Sequence, residues 1–303
     1  MVRIKAPVLL LALCLLLSAA LVQAQDAAEC EAGFHLVEHA MGQTCVSERP
    51  QRVVVLDTYE LDAALSLGVK PVGAVEAIAG AGFPAYLARL TEGIEVVGTI
   101  SAPNLEAILA LSPDLILSST GRHEEIYPQL SEIAPTVFTE ALARTHWKEY
   151  LSIYAQALNR EDVLANRLAE YEARIDTIRS VLPVEEIEIS VVRFVAAENR
   201  MMPRGSFMGT VLNDIGFARP EPQQSDEFKI VVSQEQINLL DGDVIFVSVY
   251  GDPADTEYAA FTESPLWATL GAVQSGHVYV VDDDHWFLGI GLLGANRIMD
   301  DLL

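Results

Sequence analysis

Basic side chains are scarce: 19 Lys and Arg stand against 43 Asp and Glu, for a formal net charge of −24. A surface this acidic repels phosphate backbones and anionic lipid, which argues against nucleic-acid and anionic-membrane partners. Histidine is sparse too. The six in the chain, among them His123, His146, His277 and His285, are scattered and make no compact set with tyrosine or carboxylate, so no protein-held metal is expected. Neither a Walker loop nor a G-x-S-x-G elbow occurs. The stretch from Gly80 to Ala85 imitates a dinucleotide fingerprint, but Pro84 suits that turn poorly and no acid ends a strand about 20 residues on. Gly289-Ile290-Gly291-Leu292-Leu293-Gly294 fits better, yet only nine residues follow it, too few for a nucleotide-binding unit.

What is present is globular: 51% hydrophobic and 20% charged residues in 303, room for two modest domains or one large one. Residues 1–24 carry Arg3 and Lys5, then an uncharged apolar run, then Val22-Gln23-Ala24. This is the layout of a cleaved signal peptide, and it predicts a periplasmic or otherwise extracytoplasmic protein. Cys14 and Cys30 lack the small-residue setting of a lipid-modified cysteine. Without the leader the formal charge is −26. Cys30 and Cys45 then remain, and in an exported chain they predict a disulfide contributing roughly 3 kcal/mol. Residues 25–50 read as a β-hairpin tied by that bond. Within it, His35-Leu36-Val37-Glu38-His39 matches the H-x-x-E-H pattern of a zinc hydrolase. That chemistry needs both histidines on one helical face, whereas Gly33, Gly42, Phe34, Leu36 and Val46 favour a hairpin. The zinc-hydrolase reading is accordingly set aside.

A helix is predicted from Asn159 to Leu182, with Asn159 as N-cap, Pro183 as stop, and Val163, Leu168, Tyr171, Ile175, Ile178 and Leu182 as its apolar stripe. At roughly 36 Å it is long enough to brace two lobes, residues 51–158 and 183–303. RVVVLD (52–57) suits a strand buried on both faces, which puts Thr58 and Tyr59 at its carboxyl end, where open sheets bind ligands. DLILSST likewise ends at Gly121-Arg122-His123. Residues 104–117, NLEAILALSPDLIL, align without a gap with 233–246, SQEQINLLDGDVIF. The alignment pairs Glu106 with Glu235 and Asp114 with Asp243, each copy reading as a short helix, a turn and a buried strand. Repetition on both sides of the long helix favours two lobes over one sheet. In the second half Arg193 ends a strand, and Arg200 and Arg204 follow in a loop. Glu198 and Asp214 are nearby acids able to pair with them, but the group together reads as an anion-binding edge. Tyr250 stands at a further strand end and Trp286 in a late loop.

RVVVLDTYELDAALSLGVKPVG, NLEAILALSPDLIL, LSEIAPTVF, HWKEYLSIYAQALNRE, SVVRF, RGSFMGTVLNDIGFARP, VVSQEQINLL and the closing HW with DDLL resemble the periplasmic ferric-siderophore and cobalamin binding proteins of ABC importers. The likeness is strongest to the iron(III)-dicitrate and siderophore branch and covers nearly all of residues 45–303. It implies an α/β fold of two lobes, each a central, mostly parallel sheet flanked by helices, joined by one long rigid helix with the ligand cleft between. It implies a monomer that is no enzyme and takes an anionic ferric siderophore, citrate-like, hydroxycarboxylate or catecholate, with the iron held by the chelator and no cofactor. Glu106 and Glu235 would dock on the permease dimer. Arg193, Arg204 and Arg200 would hold the chelate, with Thr58, Tyr59, Arg122, Tyr250 and Trp286 as further wall residues. Met201-Met202 stands where many relatives carry an aromatic residue. The alternative cargo on the same fold is haem or cobalamin, which would need a wider, more apolar cleft.

Overall fold

A computed structural model of the chain describes residues 30–140, 145–196 and 198–303; the expected leader, 1–24, lies outside the described residues. The chain opens with a hairpin, β1 (Phe34–His39) and β2 (Gly42–Ser47), paired Phe34 to Ser47 and His39 to Gly42 and closed by the Cys30–Cys45 disulfide. The two histidines of the H-x-x-E-H run stand on a strand and take separate partners, His35 Nε2 the Gln156 carbonyl and His39 Nε2 the Thr44 hydroxyl, both at 2.8 Å. A shared zinc is therefore not their geometry. Ala40 N–H donates to the Phe138 carbonyl, and Phe138 N–H donates to His39 Nδ1. The hairpin thus covers the outer edge of the neighbouring sheet, where unpaired amides would otherwise recruit another strand.

That sheet comprises β3 (Val53–Val55), β4 (Gly73–Glu76), β5 (Glu95–Thr99), β6 (Ala102–Pro103), β7 (Leu115–Ser119) and β8 (Thr136–Thr139) in the order β6-β5-β4-β3-β7-β8. All its pairings are parallel except β5 with β6. Val53, Val54 and Val55 are wholly buried, as an uninterrupted β-branched run requires when helices cover both faces. The second sheet holds β9 (Ile189–Val195), β10 (Glu198–Met201), β11 (Ile230–Val232), β12 (Val244–Val249) and β13 (Val278–Val280), in the order β11-β10-β9-β12-β13. Here β9, β12 and β13 run parallel while β10 turns back antiparallel on β9. The stretch read from sequence as a loop around Arg200 is thus partly strand. Its alternation of half-buried Glu198 and Arg200 with buried Asn199 and Met201 is the period of two.

The connecting helix runs Glu161–Val181, 21 residues, about 31 Å. It begins later than expected because Asn159 adopts φ 52° and donates its side-chain amide to the Glu48 carbonyl. Asn159 therefore closes the turn after the preceding helix, Trp147–Ala157, and does not cap the next one. Leu164, Tyr171, Ile175 and Ile178 are its buried residues. One buried cluster runs from Val53 and Leu117 of the first sheet, through Tyr171 and Ile175, to Ile189 and Phe246 of the second. The outer face of each sheet has a cluster of its own, around Ile116 and Phe138 in one lobe and Phe194 and Ile245 in the other. No helix among the described residues is long and apolar enough to cross a membrane.

Candidate functional site: the cleft between the lobes

Both sheets present strand ends to a shared opening. A cavity of about 480 Å³ lies there, walled by Ile78, Phe83 and Pro84 of the loop after β4 and by Tyr250, Val281 and Asp283 beyond β12 and β13. This is the crevice at the carboxyl ends of strands where α/β sheets take ligands. Gly80 and Gly82, the false dinucleotide turn, donate their amides to Glu76 at 2.7 and 2.9 Å and so shape this loop.

Register places Arg200 directly opposite Arg193, and Arg193 opposite Ser248, so three strands send polar side chains to one face in a row. Arg193 is 7% exposed. It donates from Nε and Nη2 to the two oxygens of Asp283 at 2.7 and 2.5 Å, while Ser248 donates to the same carboxylate at 2.6 Å. The rings of Tyr250 and Phe287 lie 4.9 and 4.7 Å from its guanidinium. A cation can be buried because the carboxylate and the ring faces replace its water. Arg200 donates to Glu198 at 2.8 Å, and Lys229 shares that carboxylate. The Lys229 ammonium, then the Arg200 guanidinium, hold the Glu198 carboxyl below its usual range. Arg204 is exposed and grips Asp226 at 2.7 and 3.1 Å, which lowers that carboxyl too.

In the first lobe Arg122 donates to Asp57 at 2.5 Å and borders a hollow of about 490 Å³ with Ser101, Pro103 and Thr120. The next residue, His123, is buried, with Nδ1 on the Ser118 hydroxyl and Nε2 on the Ile100 carbonyl, both at 2.7 Å. Burial pushes its imidazole down, so it stays neutral and fixes the turn that carries Arg122.

Arg122, Arg193, Arg200 and Arg204 each already hold a carboxylate, and none of the four borders the 480 Å³ cavity; Arg193 touches its wall through Asp283 and Tyr250, while Arg122 borders the separate hollow. The partners Asp57, Asp226 and Asp283 are the residues that sequence reasoning missed. Glu198 was foreseen, whereas Asp214 serves Lys148 and the Tyr171 hydroxyl instead, at 2.7 and 2.8 Å. The run Asp282-Asp283-Asp284 closing β13 was the available signal for a countercharge. Tyr250 lines the cavity. Tyr59 and Trp286 do not: Tyr59 is 4% exposed with its hydroxyl on the Trp147 carbonyl at 2.7 Å. Trp286 is wholly buried against Phe246, its indole N–H on Asp301 at 2.7 Å. Thr58 spends its hydroxyl on the Leu288 carbonyl at 2.8 Å. All three hold elements together. Glu106 and Glu235 are exposed in the first turns of Leu105–Ala110, capped by Asn104, and of Gln234–Leu240, closed by a Ser233–Gln236 capping box. Hydrogen bonds from Ser233 and from its own backbone keep the Glu235 carboxyl below its usual range, hence charged.

The sequence profile described as "Periplasmic binding protein" matches residues 53–285. The chain is 39% identical over 279 residues to the probable siderophore-binding lipoprotein YfiY of Bacillus subtilis (strain 168), spanning 88% of this chain and 86% of that protein. To the Fe(3+)-citrate-binding protein YfmC of the same organism it is 34% identical over 268 residues, covering 86% and 82%. The crystal structure of Staphylococcus aureus SirA complexed with staphyloferrin B superposes with a TM-score of 0.79 at 34% identity, over 88% of this chain and 97% of that one. With two helix-flanked sheets joined by one long helix, and a cleft at their strand ends, the chain belongs to the periplasmic binding protein family.

Proposed function

We propose that the chain captures an anionic ferric siderophore in the inter-lobe cleft and delivers it, as an extracytoplasmic monomer, to an ABC importer, docking on the permease through Glu106 and Glu235. The observation that carries this reading is the pairing of Arg193 and Arg200 across neighbouring strands, with Arg193 set against Tyr250 and Asp283 of the cavity wall, in so acidic a protein. The arginine ion pairs divide the labour. Exposed pairs such as Arg204–Asp226 are weak in water, so a polycarboxylate or catecholate exchanges for the protein's own carboxylate at little cost. Arg200, sharing Glu198 with Lys229, and half-exposed Arg122 are suited to the same exchange. Arg193 is different. Buried on Asp283, it keeps that partner and holds Tyr250 as a cavity wall. The iron stays with its chelator, and the protein performs no covalent step. A bracing helix and a common core limit lobe closure to a small angle.

The apolar wall formed by Ile78, Phe83, Val249 and Val281 is the observation that favours haem or cobalamin as an alternative cargo. Calorimetric titration with ferric citrate, ferric staphyloferrin B, ferric hydroxamates, ferric catecholates and haem separates the readings. Heat is the suitable signal, because Trp147, Trp267 and Trp286 are all buried and report poorly on the cleft. A dissociation constant at or below about 1 μM, roughly −8 kcal/mol, is expected for a ferric carboxylate chelate. Binding of haem alone overturns the siderophore reading, and silence with ferric citrate, hydroxamates and catecholates overturns it as well.

A further inference from the structure

The Gly289-Ile290-Gly291-Leu292-Leu293-Gly294 run brings the second lobe into direct hydrogen-bond contact with the first. Asp62 of the first lobe's entry helix, Thr58–Ser66, is wholly buried. It accepts the amides of Leu293 and Gly294 at 3.0 and 2.9 Å and the Tyr86 hydroxyl at 2.9 Å. Those amides open the closing helix, Leu292–Asp301, so a first-lobe carboxylate caps a helix that packs against Phe207–Ile215 of the second lobe. The glycines are there for clearance. A Cβ on Gly291, at φ 144°, would meet Asp62 Oδ1 at 2.4 Å, one on Gly289 the Tyr86 hydroxyl at 2.6 Å, and one on Gly294 the Gly289 carbonyl at 1.7 Å. At its far end the same helix is tied to the connecting helix, Arg174 donating to Asn296 at 3.0 Å and to Asp300 at 2.5 Å.

Two more bonds extend the seam: Thr58 to the Leu288 carbonyl at 2.8 Å, and Ala85 N–H to Asp284 at 2.7 Å. Pro84, Asp284 and Leu288 also line the inter-lobe cavity, so the seam is part of its wall and any slip along it moves the cargo surface. We propose that Asp62 is the positioning residue that sets the spacing of the lobes, pinning the closing helix to the first lobe and so fixing the width of the cleft. The proposal adds to the connecting helix a second, independent tie. Loss of the carboxylate would leave two amides and a hydroxyl buried without an acceptor.

Its effect on cargo rests on the siderophore reading; its effect on lobe spacing does not. The test places spin labels on Glu132→Cys and Ala268→Cys, one exposed site in each lobe, and measures the inter-lobe distance by pulsed electron paramagnetic resonance. The parent should give one narrow distribution, Asp62→Ala a broad or shifted one, and Asp62→Asn, which keeps one acceptor oxygen, an intermediate. Ferric citrate should leave Asp62→Ala at least about tenfold faster than the parent. Ile108→Val, which loosens the first lobe's outer core away from the seam, should leave the distance unaltered. If Asp62→Ala fails to fold, Asp62→Asn and Thr58→Val carry the test. A folded Asp62 variant that keeps the parental distribution, or one no broader than that of Ile108→Val, overturns the proposal. A parent that binds no ferric chelate removes the siderophore reading and leaves the distance measurement standing.

Discussion

In the first lobe β3 is flanked by β7 and then β8, all parallel, and in the second β9 is flanked by β12 and then β13 in the same way. The repeated acid clamps each pair alike. Asp114 accepts the amides of Gln51 and Arg52 at 2.7 and 2.8 Å, just before β3. Asp243 accepts the amide of Glu188 at 2.8 Å, just before β9. Across the central strand the likeness ends: β4 and β5 continue parallel, whereas β10 folds back antiparallel on β9 and β11 turns again on β10. Arg200 lies on that departing side, with Arg204 just after β10 and Lys229 just before β11. The shared half builds the scaffold and carries Glu106, Glu235 and Arg122, and the divergent half carries Arg200, Arg204 and Lys229.

The sharpest distinction within the second lobe is between its arginines. Arg193→Ala strands a buried Asp283 and should cost about 3–5 kcal/mol in urea unfolding. Arg200→Ala with Arg204→Ala should leave the melting temperature nearly unchanged and weaken ferric-chelate binding about 100-fold in calorimetry. Equal losses of stability from both changes would erase the difference.

Acid–base behaviour should separate the lobes next. Burial, and after it the nearby Asp57, raise the first lobe's Glu60 to about 8, and burial raises Asp62 to about 7. Both folded values lie above the unfolded ones, so the stability these groups contribute is complete below about pH 4 and is lost as pH rises through about 8. Thermal melts should fall across that window, and Glu60→Gln should flatten the upper part. A wild-type melting temperature that climbs between pH 6 and 9 contradicts this. A smaller difference is expected at the clamps: Asp114→Ala, which frees two amides, should cost about 1 kcal/mol more than Asp243→Ala, which frees one. Smallest of all is the effect of Glu106→Ala with Glu235→Ala on affinity, under about twofold, while uptake into cells is lost; an equal loss of binding would place these residues in the cargo site.

The two-lobed plan was legible because its signals are local: a valine run, a helix stripe, and a repeat in register on both sides of that helix. What escaped was long-range or a matter of backbone detail. The Arg193–Asp283 and Arg204–Asp226 pairs join residues 90 and 22 positions apart, and no spacing rule links them. Asn159 looked like an N-cap but took a left-handed turn, and the second copy of the repeated helix wound as a tighter 3-10 turn, Gln234–Leu240. Tyr59 stood at a strand end and Trp286 in a late loop, as binding residues do, yet their polar atoms are spent on the Trp147 carbonyl and Asp301.

The buried cluster that passes without a break from Val53 to Phe246 means neither half can melt while the other survives. Calorimetry should therefore record one cooperative endotherm, and a protease should find either the intact molecule or a wholly opened chain, with no long-lived half-protein between them.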